Sequence, residues 1–93
     1  MIHLSPSDLC VTYTDRIRFQ TDFQQYLRNR SLFIPATVNR PSQGTHLDVR
    51  LVLPSGMDIR CTGDVVVCLP TGYGISLVIS DDDYKALSGA FHF

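Results

Sequence analysis

The sequence predicts an all-β domain, a small barrel with a short C-terminal helix, from three observations. Leu47, Val49, Leu51 and Leu53 are apolar at every second position, with His46, Asp48 and Arg50 between them. After Pro54-Ser55-Gly56 the alternation resumes in Met57, Ile59, Cys61, Val65 and Val67, against Asp58, Arg60, Thr62 and Asp64. Shorter apolar runs, Leu9 to Tyr13, Leu32 to Pro35 and Ile75 to Ile79, are set apart by turn-forming residues. Period-two alternation puts one face of a strand in a core and the other in water, so Leu47 to Val67 reads as a half-buried hairpin. Pro pre-sets one turn dihedral and Gly takes a positive φ, which suits Pro54-Ser55-Gly56 to the connection. Gly63 falls on the inner parity, where a bend or bulge is expected.

In chain order, residues 1–8, polar and containing Pro6, read as a loose entry, residues 9–79 as the barrel and residues 80–93 as a helix and tail, all in one domain. Leu9 to Tyr13 is expected to be an edge strand, interrupted by the charged stretch Asp15 to Arg18. Phe19, Phe23, Tyr26 and Leu27 have helical spacing, but a crossover loop whose aromatics plug one barrel end fits the same residues. Arg28 to Ser31 is a polar break. Leu32-Phe33-Ile34-Pro35 follows as a short strand ended by Pro35, which cannot donate to a central ladder. Phe33 is expected to be buried there, so that Phe33→Ala costs ~3–5 kcal/mol. Val38 to Thr45 and Leu69 to Gly74 read as turns, and Ile75, Leu77 and Ile79 as the inner face of the last strand. Ser80 before Asp81-Asp82-Asp83 is a helix start: a hydroxyl accepts from an unpaired N–H, and the acids complement the positive helix end. Tyr84, Leu87 and Phe91 form the apolar stripe of that helix, weakened by Gly89.

Composition narrows the chemistry. The net charge of −1 gives no basic field for nucleic acid or an anionic membrane surface. All nine acids are Asp and seven of the eight bases are Arg, a skew that GC-rich codon usage also produces. Cys10, Cys61 and Cys68 are odd in number with no C-x-x-C spacing, and are expected to be buried free thiols of a cytoplasmic protein. His3, His46 and His92 lack metal-ligand spacing. No signal pattern, membrane-length apolar run, phosphate loop or nucleophile elbow is present, so neither catalysis, nor a cofactor, nor membrane insertion is expected. Arg16-x-Arg18 and Arg28-x-Arg30 remain. If extended, each pair would turn two planar forks to one anion; solvated loop edges are the plainer reading.

Several of these residues, in this order, resemble a PilZ domain of the type IV pilus class. They are Leu32-Phe33-Ile34-Pro35, the Gly44-Thr45 turn into Leu47-x-Val49-x-Leu51, Leu53-Pro54, Gly63-Asp64-Val65-Val66-Val67 and Gly72-Tyr73-Gly74-Ile75. The resemblance covers roughly residues 12–80. It implies a six-stranded antiparallel β-barrel with a C-terminal helix. Ordinary PilZ domains grip cyclic di-GMP through Arg-x-x-x-Arg and Asp/Asn-x-Ser-x-x-Gly. Here no two Arg stand four apart, and Tyr26, Arg28 and Ser31 occupy the second motif's positions. Cyclic di-GMP is therefore not the expected ligand; Arg16, Arg18, Arg28 and Arg30 would make an altered site in the alternative reading. Type IV pilus members lack both motifs and look like adaptors for the pilus extension ATPase and an EAL-domain regulator. By that resemblance Gln20, Phe23 and Tyr26 are the partner-contact candidates. The chain departs from the class in Arg30-Ser31, where Gly-Gly is usual, and in Val67, where Trp is usual.

Overall fold

The computed structural model describes residues 2–5, 8–36 and 40–92, with side chains from residue 8 onward. Pro6, in the expected loose entry, Val38 and Asn39, in an expected turn, and the final Phe93 lie outside them. Among the described residues six strands run β1 Ile2–Ser5, β2 Asp8–Thr12, β3 Ser31–Pro35, β4 His46–Val52, β5 Asp58–Leu69 and β6 Gly72–Val78. Helix α1 spans Arg16–Gln25 and α2 spans Asp81–His92. The sheet order is β1-β2-β4-β5-β6-β3.

The expected six-stranded antiparallel barrel does not form. Five strands, β2 to β6, curl around the core as a half-barrel, and short β1 extends the sheet beyond β2. β2 runs parallel to β4, Leu9 beside Val49 and Val11 beside Leu51. It is an interior strand, not an edge, and β1 hairpins onto it where a loose entry was expected. A parallel neighbour needs a long crossover, and α1 with β3 and the following turn supplies it.

The meander β4-β5-β6 follows its periodicity. Leu47, Val49 and Leu51 are buried while His46, Asp48 and Arg50 are exposed. The turn after β4 closes with Gly56 at φ 91, its N–H donating to the Leu53 carbonyl at 2.8 Å. Met57 belongs to this turn and is exposed, contrary to its inner parity. The β5 irregularity falls at Val65–Val67, not at Gly63. It leaves Val66 and Val67 exposed, correcting the inner placement of Val67. Gly63 instead permits close packing, since a Cβ there would meet Ile75 Cγ2 at 2.5 Å. β6 begins at Gly72, so only Pro70 and Thr71 separate it from β5.

Both helices cover the concave face. Asp15 caps α1, accepting from the Ile17 N–H at 2.9 Å, and Phe19 and Phe23 are buried beneath it. The aromatic stretch is thus helical, followed by a 3₁₀ turn at Leu27–Asn29. Ser80 Oγ accepts from the Asp83 N–H at 3.1 Å, as its position predicts. Leu87 is buried, with Tyr84 and Phe91 packed at the core margin. Phe91 stacks on Phe23 at 4.5 Å and joins the two helices. No helix among the described residues is long and apolar enough to cross a membrane.

Phe33 corrects the expected core. Leu32 and Ile34 are buried, whereas Phe33 is half-buried on the outer face, stacked on Tyr26 at 6.2 Å. Three consecutive apolar residues carry no parity of their own, and a one-residue slip exchanges every side chain between faces.

Candidate interaction surfaces

The expected Arg pairs do not converge. Arg16 and Arg18 lie on α1, where residues two apart diverge by about 200° around the helix axis. Arg16 lies against the groove described below. Arg18 turns to Asp22, 3.6 Å away. Arg28 lies in the 3₁₀ turn, and its carbonyl accepts from the Tyr84 hydroxyl at 2.9 Å. Arg30 ends that turn with left-handed backbone, φ 54, which directs it to the start of α2. There it donates to Asp81 at 2.9 Å and lies over the Tyr84 ring, 4.8 Å from its centroid. The shared-face geometry expected of an extended segment is absent because neither segment is extended.

The three partner-contact candidates also separate. Phe23 is buried in the core, beneath α1. Gln20 and Tyr26 are half-buried. Tyr26 supports the start of β3 from behind: its carbonyl accepts from the Ser31 N–H at 3.1 Å and the Ser31 hydroxyl at 3.0 Å.

Two concavities stand out. One is a seam between β3 and the end of β2, where the chain runs past its pairing with β1. It encloses ≈390 Å³ and is lined by Val11 to Asp15, Arg18, Asp22 and Leu32 to Ile34. Its polar end is self-satisfied: the Tyr13 hydroxyl donates to Asp22 Oδ2 at 2.8 Å, and Arg18 faces the other carboxylate oxygen. Burial first, then the Asp22 charge, raises the Tyr13 phenol pKa above its ordinary value. The sequence signals for this end were a Tyr and an Asp nine apart, which no local motif connects.

The second is a groove of ≈600 Å³ between the start of α1, the β4-β5 turn and the last turns of α2. Arg16, Phe19, Leu53, Pro54, Ser55, Met57, Ala86, Gly89 and Ala90 line it. Among the described residues that line it, Arg16 is the charged one. Gly89 has nothing within 4 Å of the point where a Cβ would stand, so the α2 wall is open there. Parity alone places Met57 in the core and so hides this groove from the sequence; the turn signal at Pro54-Ser55-Gly56 is the feature that points to it.

Two further charged pairs lie on the sheet. Arg50 bonds Asp58 through Nε at 2.8 Å and a terminal nitrogen at 2.6 Å, holding the Asp58 carboxyl below its ordinary pKa. His46 meets Asp64 at 2.8 Å. The three cysteines form no disulfide, and none is fully buried as expected: Cys10 and Cys61 are half-buried, Cys61 at the core margin, and Cys68 is exposed. Burial, and secondarily Asp83, pushes the Cys61 thiol up to about 11. Among the described residues no group of three His, Cys, Asp or Glu is placed to hold a metal ion. No family model and no curated protein matches the chain.

Proposed function

We propose that this chain is a non-catalytic contact module: a PilZ-like adaptor that binds other proteins in the cytoplasm to control type IV pili or motility, and not a cyclic di-GMP receptor. The apolar groove carries this reading. Leu53, Pro54, Met57 and the Ala86-Gly89-Ala90 side of α2 form a concave surface that a partner's apolar side chain can fill. Removing such surface from water contributes roughly 25 cal/mol per Å². The pilus extension ATPase and an EAL-domain regulator are the partners the resemblance suggests.

Arg30 supports the PilZ-like part. The class usually has glycine there, and the residue here adopts the left-handed backbone that glycine favours. The receptor alternative needs paired Arg forks on the nucleotide's phosphates. Arg18 and Arg30 are engaged with Asp22 and Asp81, and Arg16 diverges from Arg18.

Titration calorimetry of the chain with cyclic di-GMP separates the two readings. No saturable heat is expected at tens of micromolar nucleotide in physiological salt, a limit near roughly −6 kcal/mol. A micromolar site abolished by Arg28→Ala would replace the adaptor by the receptor. For the groove, wild type and Met57→Asp serve as baits in a motile bacterial lysate. A protein held by wild type and lost on the variant is expected, with unchanged melting because Met57 is exposed. Equal capture by both baits refutes the groove.

A further inference from the structure

Among the described residues β3 is the last strand on its side of the sheet, so one of its edges has no ladder partner there. Bonds at its two ends identify the groups on that edge. The Ala36 N–H donates to the Thr71 carbonyl at 3.2 Å, and the Leu77 N–H to the Arg30 carbonyl at 2.8 Å. Opposed residues in an antiparallel pair alternate between exchanging both bonds and exchanging none. Arg30, Leu32, Ile34 and Ala36 therefore bond toward β6, and Ser31, Phe33 and Pro35 turn their backbone groups to the open edge. Ser31 has already given its N–H to Tyr26, and Pro35 has none. The edge presents three carbonyls and one N–H, that of Phe33, beside the ≈390 Å³ seam.

We propose that this edge is a docking site for an extended strand of another protein, one that brings its own N–H donors and sets an apolar side chain into the seam against Val11, Leu32 and Ile34. The donor count selects the occupant. A second copy paired about a two-fold axis at Phe33 makes the two Phe33 bonds and no others, because the flanking pairs set Ser31 against Pro35. A foreign strand with free N–H groups opposite Ser31, Phe33 and Pro35 makes four. The edge thus resists self-pairing, the usual hazard of an open strand, while accepting a heterologous one. This proposal is independent of the groove, which involves none of the same residues.

The test pans phage-displayed random nonapeptides against the full chain and titrates the best synthetic peptide. The expected complex shifts the Phe33 amide resonance and slows its hydrogen exchange. N-methylation of the peptide at the three alternate donor positions lowers affinity about tenfold or more each, and at the intervening positions leaves it nearly unchanged. In sedimentation velocity, Pro35→Ala, which restores a donor to each copy, self-associates more than wild type. Recovery of no peptide, a peptide that leaves the Phe33 amide unmoved, indifference to N-methylation, or a wild type that dimerises as readily as Pro35→Ala each overturns the proposal.

Discussion

The β4-β5-β6 meander and the β2-α1-β3 half of the molecule obey different rules. In the meander each strand is bonded to a sequence neighbour, and alternation separates core from surface along β4 and along β5 up to the Val65–Val67 irregularity. In the other half, β2 takes a parallel partner from across the chain, a helix intervenes, and β3 is left with an open edge. Local pattern decides a structure where partners are local. Where the partner is distant, packing decides, and the unmatched groups collect there as the seam.

The largest expected effect tests the meander. Leu51 is fully buried between β2 and β5, so Leu51→Ala should cost ~2–5 kcal/mol. A domain holding only ~5–15 kcal/mol would then approach unfolding, read as a lower midpoint in urea. An unchanged midpoint would show that the meander is not the stable half.

β3 gives the next contrast. Leu32→Ala should cost ~2–5 kcal/mol, whereas Phe33→Ala, outward and half-buried, should cost about 1–2. The reverse order in chemical denaturation would return Phe33 to the core and invert the strand.

At the seam, Tyr13→Phe removes a hydrogen bond to a charged carboxylate, with an expected loss of ~1.5–3 kcal/mol. The pH dependence has a definite sign. A phenol whose folded pKa lies above its unfolded value near 10 contributes stability that is complete below pH ~10 and lost as pH rises further. The variant should show a shallower alkaline decline than wild type; identical slopes would mean that Tyr13 does not report on the seam.

Ser80→Ala should cost about 1 kcal/mol through loss of the α2 cap, with Ser80→Gly costing less. Equal losses would point to packing instead of capping. Smallest in stability but sharpest in placement is thiol reactivity. Iodoacetamide should modify exposed Cys68 at least about tenfold faster than Cys61 at pH 8, followed by mass spectrometry. Comparable rates would put Cys61 in solvent.

By itself the sequence determined the features whose causes lie within a few residues. Leu47 to Leu51 alternates over enough positions to define its faces, Ser80 stands directly before the N–H groups it caps, and Tyr84, Leu87 and Phe91 recur at helical spacing. The candidate site was far less legible. Arg16 and Arg18 share a face only if extended, and Asp15, a capping residue, commits them to a helix. Only tertiary structure decided that β2 lies parallel to β4, that Phe33 faces out, and that β3 keeps an open edge. A five-residue strand with Leu, Phe and Ile in succession is compatible with either face. Which face is buried depends on what β6 and the helices already cover, and that energy arises between residues distant in the chain.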